Sequence, residues 1–267
     1  RGPPLSLWSH EFYETRPEND FKRGYIFQIN RGAGPVTEAT SSADAGRLPR
    51  ILVHAQEAGQ HPLLRKLATA TEAAGGDVIE TSVDILHKLS GKDNPQMLLG
   101  VYDAETTELA DIDRSRAYVW VVCQSLKDPG NLGTILRTCD AVGAGGVILL
   151  DQSCDPFSVE AVRASMGALF TQTIVQATGA DFFAWLRQGP GQLVGASLNT
   201  EHDYQGVRYA APTFLFMGNE QSGLPADYEA QCDTLVKIPM SGKADSLNVA
   251  VATAVLLYEI FNQTRRG

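Results

Sequence analysis

YVWVVCQSLKDPGNLGTILRTCDAVGAGGVILL, Tyr118 to Leu150, decides how the rest of the chain reads. YVWVVCQSL is a continuous β-branched and aromatic run, the mark of a strand buried on both faces. Asp128-Pro129-Gly130 is a turn signal, with Asn131 placed as a good N-cap. NLGTILRTCDAVG reads as a helix with a glycine stop, and GGVILL as a second buried strand. Strands that alternate with helices, each strand a continuous apolar run, imply a parallel sheet covered on both faces.

The alternation continues to the C-terminus. SVEAVRASMGALF (158–170) is predicted as one helix, TQTIV as a strand, ADFFAWLRQ as a helix, and QLVGASL and TFLFM as strands. A short helix from Pro225 and the strand TLVKIPM lead to DSLNVAVATAVLLYEI, Asp245 to Ile260, a helix buried on most of its faces. Toward the N-terminus, ILVHA, DVIET and MLLGVYD read as strands, HPLLRKLATATEAAGG and SVDILHKLSG as helices, and GKDNPQ as a loop. Residues 1–47 are irregular apart from YIFQI, 25–29. AETTELADIDRSRA is polar and acidic, so an interdomain linker is expected there. The expected division is an N-terminal module over 1–106, a linker over 107–117 and an α/β domain over 118–267.

A chain of 267 residues, 43% hydrophobic with three Trp, has enough apolar material for one large or two ordinary cores. The net charge of -9 does not advertise a nucleic-acid partner, although a confined basic surface is compatible with it. Arg114, Arg116, Lys127, Arg137 and Arg163 are the candidates for such a surface. The four cysteines form no C-x-x-C pair and meet no clustered His, which excludes zinc and disulfide frameworks. They read as free thiols, and a cytoplasmic location is expected. No signal peptide and no membrane-spanning run is apparent. The chain begins at Arg1 rather than Met, so a preceding segment is expected. G-x-G-x-x-G after a first strand, a P-loop, G-x-S-x-G and H-E-x-x-H are all absent.

Ligands of parallel sheets bind at the carboxyl ends of the strands. Four loops follow those ends: KDPGNLGTILRT, SLNTEHDY, GNEQSGLP and MSGKADSLN. Each is rich in Gly, Asn, Ser or Asp. Each polar residue also has a plain structural explanation. Arg137 could snorkel or pair within its helix, and Glu220 could be a solvated loop carboxylate. Asp245, Ser246 and Asn248 are good helix caps, yet a ligand at that helix start would use the same residues. Their shared placement after strand ends favours a site over any single motif.

NLGTILRT, FLFMGNEQSGLP and KIPMSGKADSLNVAVA resemble, in order, the three motifs of the SpoU (TrmH-like) branch of the SPOUT methyltransferases. The resemblance runs from about Tyr118 to the C-terminus. Residues 50–103 are similar to a small ribosomal-protein-like RNA-binding module. The resemblance implies transfer of a methyl group from S-adenosylmethionine to a ribose 2'-hydroxyl of RNA, by a homodimer. It also implies a C-terminal trefoil knot that forms the cofactor pocket, an exception to the usual absence of knots. The N-terminal module favours ribosomal over transfer RNA. The loops holding Gly218, Ile238, Met240 and Leu247 would cradle the cofactor, with Ser197 and Leu198 on its adenosine side. Arg137 matches the arginine that is the usual candidate for activating the 2'-hydroxyl. Asn131 and Glu220 match residues that organise the site, and Ser246 and Asn248 match the pair near the reacting centre. The helix at Asp245 would then cap itself and face the cofactor at once.

A sulfonium donor is already strongly electrophilic, so alignment with the alcohol is the main task, and no metal is expected. Arginine side chains stay protonated over the whole working range. A cationic Arg137 that stabilises the developing alkoxide is therefore preferred to Arg137 as base. The alternatives are a tRNA ribose methyltransferase, a base methyltransferase, and a non-catalytic RNA-binding or ribosome-assembly protein. The intact set of Asn131, Arg137, Glu220, Ser246 and Asn248 argues for an enzyme.

Overall fold

The computed structural model describes residue 43 and residues 46–90, 97–243 and 245–266, together with the backbone of 24–28. The expected loop at 91–96 lies outside the described residues, as does most of the irregular N-terminal stretch.

The N-terminal unit is a four-stranded sheet in the order β1-β4-β2-β3. Its strands are β1 (Gly24–Gln28), β2 (Ile51–Ala55), β3 (Asp77–Thr81) and β4 (Leu98–Asp103). β4 is antiparallel to β1 and β2, and β2 is parallel to β3. Two helices cover opposite faces, α1 (Pro62–Ala73) and α2 (Val83–Ser90). Strand alternation explains the split. Leu52 and Leu98 pack with Leu64 and Leu67 of α1, while Val53 and Leu99 pack with Leu86 of α2.

The larger unit is a six-stranded, wholly parallel sheet in the order β10-β8-β9-β5-β6-β7. The strands are β5 (Val119–Gln124), β6 (Gly146–Leu150), β7 (Thr173–Ala177), β8 (Gln192–Ala196), β9 (Thr213–Met217) and β10 (Thr234–Val236). The helices are α3 (Pro129–Val142), α4 (Val159–Ser165), α5 (Gly179–Leu186), α6 (Ala226–Glu229) and α7 (Val249–Arg266). Val119, Val121 and Cys123 face Leu132, Ile135 and Leu136 of α3 and Leu256, Leu257 and Ile260 of α7. Trp120 and Val122 point the other way, into Phe182 and Phe183 of α5 and the strand residues Phe214 and Phe216. Each large side chain so buried contributes roughly 1.5–3 kcal/mol. All four cysteines are free. Burial pushes their thiols up, that of Cys154 to about 11 and that of Cys232 to about 12, so none is an activated nucleophile.

Three elements of the larger unit differ from the sequence expectations. The helix expected over 158–170 stops at Ser165, where Met166 (φ 51°) and Gly167 (φ 89°) turn left-handed. That reversal swings Ala168, Leu169 and Phe170 into the core as a single 3-10 turn. β10 ends at Val236, because Lys237 pairs with Asp203 and Pro239 has no N–H to donate. β8 ends at Ala196 rather than continuing to Leu198. The acidic stretch before Tyr118, the expected interdomain linker, packs on the larger unit. Leu109 and Ile112 rest on the Trp120–Phe182 cluster, and Thr107 N–H donates to Ile174 O at 2.8 Å. Arg114 stacks on Trp185, 3.7 Å from the ring centroid, and donates to the carbonyls of Trp185 and Leu186 at the end of α5. Tyr102 of β4 meets Phe170 at 4.9 Å between ring centroids, which seats the small sheet against the large one.

Candidate active site

Because the six strands are parallel, the polar loops seen in the sequence all leave one edge of the sheet. The centre of that edge is the Glu220 carboxylate, which is half-buried and held by several donors. It accepts from the backbone amides of Asp128 at 3.0 Å and Lys127 at 3.2 Å. It also accepts from Asn131 Nδ2 at 3.4 Å and Asn219 Nδ2 at 3.3 Å. Burial alone would raise its pKa. The Asp128 amide, its own backbone amide, the Lys127 amide and the Asn131 side chain outweigh that and hold the carboxyl below its usual range. The β9 loop therefore grips the β5–α3 loop through one anion.

Asn131 is not the cap of α3. Asp128 caps it, with Oδ1 accepting from Asn131 N–H at 2.7 Å and Pro129 at the first helical position. This frees the Asn131 side chain to bridge two loops. Its Nδ2 meets Glu220, and its Oδ1 accepts from Asn248 Nδ2 at 3.0 Å. Asn248 in turn caps α7, its Oδ1 accepting from Ala250 N–H at 2.9 Å and Val251 N–H at 3.3 Å. Both readings of the Ser-Leu-Asn start thus meet in one residue. Ser246 takes no part: it is exposed and makes no hydrogen bond among the described residues.

Gly218 is buried, and a Cβ there would lie 2.2 Å from the Gly223 carbonyl carbon and 2.3 Å from Leu224 N. The glycine is needed to close the Asn219–Gly223 turn, whose two backbone bonds are 3.0 and 3.1 Å. Asn219, which the sequence reading passed over as a site residue, ties this turn to β5 by donating to Ser125 O at 2.8 Å. Ser197 N–H donates to Val236 O at 3.0 Å, so the loops leaving β8 and β10 start side by side. On these loops and at the start of α7, Leu198 (62%), Met240 (37%) and Leu247 (37%) are exposed although apolar, while Ile238 packs against the core.

Arg137 is not drawn into the cluster. It lies six residues beyond Asn131, about 9 Å along the axis of α3 and on another face. It is exposed and makes no ion pair or hydrogen bond among the described residues, so the ion-paired expectation does not fit. The expected basic surface also shrinks. Arg114 is spent on α5 and Trp185, and Lys127 Nζ donates to Gln152 O at 2.5 Å. Arg163 is partly buried and engaged, whereas Arg116 and Arg137 remain exposed. No group of three or more His, Cys, Asp or Glu that could hold a metal ion occurs among the described residues. No helix among them is long and apolar enough to cross a membrane.

Known proteins resemble both the sequence and the fold. The sequence is 31% identical over 216 residues to a 23S rRNA (uridine(2479)-2'-O)-methyltransferase of Streptomyces viridochromogenes, covering 78% of this chain and 75% of that protein. It is 30% identical over 179 residues to the 23S rRNA (guanosine(2553)-2'-O)-methyltransferase RlmP of Bacillus subtilis, covering 67% of this chain and 70% of that protein. The fold is similar to that of an AdoMet-bound rRNA methyltransferase from Sinorhizobium meliloti, with a TM-score of 0.82, 36% identity, and coverage of 90% of this chain and 87% of the other. It is also similar to the SpoU methyltransferase AviRb of S. viridochromogenes in complex with AdoMet, with a TM-score of 0.79, 27% identity, and coverage of 91% and 92%. The sequence model of the SpoU rRNA Methylase family matches residues 118–258, which span the whole carboxyl edge described above, and the chain belongs to that family.

Proposed function

We propose that the edge built from the β5, β8, β9 and β10 loops is the methyl-transfer site of this chain. The chain is an RNA 2'-O-ribose methyltransferase that uses S-adenosylmethionine as donor, and ribosomal RNA is its substrate class. The observation that carries the site is the Glu220–Asn131–Asn248 chain of hydrogen bonds, which joins all three family motifs at one point. The exposed apolar side chains Leu198, Met240 and Leu247 fit the donor, because they offer an adenine ring a surface that water covers poorly.

In this reading the loops holding Gly218, Ile238, Met240 and Leu247 hold the cofactor, with Ser197 and Leu198 on its adenosine side. Bound S-adenosylmethionine supplies a methyl group already activated on a sulfonium. The protein then has to orient the acceptor, and fixed geometry of this kind supplies roughly 7–11 kcal/mol. Asn131, Glu220 and Asn248 give the rigid frame, and Ser246, free of other partners, faces the reacting centre. Arg137 keeps its charge and its donors for a ribose alkoxide or a neighbouring phosphate. The 2'-proton passes to water or to a carboxylate.

Val251 (50% exposed) and Tyr258 (47% exposed) continue an apolar stripe along α7, and this supports the homodimer. The return of α7 from the edge strand β10 to pack on α3, at the middle of the sheet, supports the trefoil knot. A cytoplasmic site fits four free thiols and an RNA substrate. The deciding experiment is methyl transfer from labelled S-adenosylmethionine to unmodified 23S rRNA and tRNA, followed by nucleoside analysis. Label on a ribose 2'-oxygen of rRNA is expected. Label on tRNA alone would move the substrate class, and label on a base would overturn the acceptor. Absence of both label and cofactor binding would point to a non-catalytic RNA-binding protein.

A further inference from the structure

α6 is a single turn of helix, yet two consecutive residues tie it to both flanks of the active edge. Tyr228 faces the end of β6, where its hydroxyl donates to Asp151 Oδ2 at 2.9 Å. Asp151 is itself fixed. It sits at φ 58°, its Oδ1 accepts from Gly179 N–H at 2.9 Å, and Gln124 Nε2 lies 3.4 Å from its other oxygen. The absence of a side chain at Gly179 makes room for the phenol, since a Cβ there would lie 2.0 Å from the Tyr228 hydroxyl. The Tyr228 ring is wedged edge-on against Phe183, 5.1 Å between centroids, and stacks on Phe216 at 6.0 Å.

Glu229 faces the opposite flank, about 100° further round the turn. Its carboxylate accepts from Ser197 Oγ, and from Asn199 Nδ2 at 3.2 Å to each oxygen. Asn199 N–H donates back to Ser197 Oγ at 3.0 Å, which closes the loop into a small turn. Leu198 is the residue between the two anchored positions, and among the described residues it is the most exposed of the large apolar side chains. An exposed leucine on a free loop would sample many positions at no cost. Here its backbone is pinned on both sides by one anion.

We propose that Glu229 is a positioning residue for the cofactor: it holds the Ser197–Asn199 turn in the shape that receives the adenosine, and the Tyr228–Asp151 bond holds Glu229 in place. This rests on the reading of Ser197 and Leu198 as the adenosine side. Glu229 does not touch the reacting atoms, so its effect falls on donor affinity and not on the chemical step. No motif contains it, and in the sequence it is one acidic residue of a short surface helix.

The test uses the full chain with Glu229→Ala, Glu229→Gln, Tyr228→Phe and the Tyr228→Phe/Glu229→Ala pair. S-adenosylmethionine binding is measured by calorimetry, and methyl transfer to rRNA at saturating and limiting donor. Glu229→Ala is expected to raise Kd and KM for the donor by roughly tenfold, with kcat at saturation unchanged. Glu229→Gln keeps one acceptor oxygen and is expected to fall between wild type and alanine. Tyr228→Phe is expected to raise KM less, and the pair no more than Glu229→Ala alone, because the tyrosine acts through the glutamate. Unchanged KM in Glu229→Ala, a fall in kcat with KM unchanged, or an additive pair would each overturn the proposal. A drop in melting temperature and folded fraction, with wild-type KM in the folded remainder, would overturn it as well. Failure of the wild-type chain itself to bind S-adenosylmethionine would instead overturn the cofactor reading beneath it.

Discussion

Asn248 Nδ2 donates to Asn131 Oδ1 at 3.0 Å across 117 residues of sequence, and this one bond joins the first turn of α3 to the cap of α7. Asn248 uses its two polar atoms for different tasks. The oxygen caps the helix, and the nitrogen reaches the site.

That division can be separated by mutation. Asn248→Asp keeps a capping oxygen but has no N–H to donate. It is expected to hold its melting temperature while losing at least roughly tenfold in kcat. Asn248→Ala loses both, with about 1 kcal/mol of stability lost as well. Chemical denaturation beside methyl-transfer rates distinguishes the two, and equal stability loss in both variants would show that the cap is not the oxygen's role.

Glu220→Gln should loosen the whole edge. An amide offers one acceptor where the carboxylate offers two, and it turns an NH2 toward the Lys127 and Asp128 amides. The expected cost is about 1.5–3 kcal/mol in urea unfolding. The wild-type carboxyl has a folded pKa below its unfolded value, so its stabilisation is complete above the ordinary value of 4.5 and is lost as pH falls through the lower folded value. Unfolding free energies measured down the acid limb should therefore fall more steeply for wild type than for Glu220→Gln. Parallel curves would remove Glu220 as the source.

Arg137 carries a prediction about chemistry alone, since it is exposed and supports no other residue. Arg137→Ala should leave stability within the usual surface range of about 0.5 kcal/mol and lower kcat by roughly a hundredfold. Arg137→Lys should recover part of the rate through its charge, without the planar fork. A lysine variant that equals or exceeds wild type at high pH would favour a general base over alkoxide stabilisation.

Gly133→Ala tests the packing of α3 on α4. The added Cβ would lie 2.4 Å from Ala164 Cβ, 2.5 Å from Ala161 O and 2.7 Å from Ser165 N. Two of these are backbone atoms, so the helices have to part. The expected loss is about 1–3 kcal/mol of unfolding free energy, measured by chemical denaturation. A neutral result would mean that α4, which ends at the Met166–Gly167 reversal, shifts freely.

Hydrophobic period exposed the strands and helices of the large sheet because a strand buried on both faces has no other pattern available to it. The glycine stop at Gly143 was equally plain, since a φ of 69° is a left-handed position that favours glycine. Cap identity was harder to read. Asp128 and Asn131 are both good caps, and only the start of α3 at Pro129 chose between them. The break at Met166 was passed over although Gly167 marks it, because the apolar pattern runs on through Leu169 and Phe170, and the core beneath Phe170 made the decision. Glu220 was found, but its task was not, since one carboxylate in a glycine-rich loop looks the same whether it meets water, ligand or backbone amides.

Local chemistry thus sufficed for the parallel sheet, its order of elements and the loops that carry polar residues, for these follow from short-range spacing and burial. Which of those residues meet was settled by the packing of elements distant in sequence. Glu220 with the Lys127 and Asp128 amides and Glu229 with Ser197 and Asn199 join loops of neighbouring strands, while Asn131 with Asn248 joins the helix after β5 to the helix that returns from the edge strand β10. Strand order sets them, and strand order is a property of the whole core, which no single stretch of sequence contains.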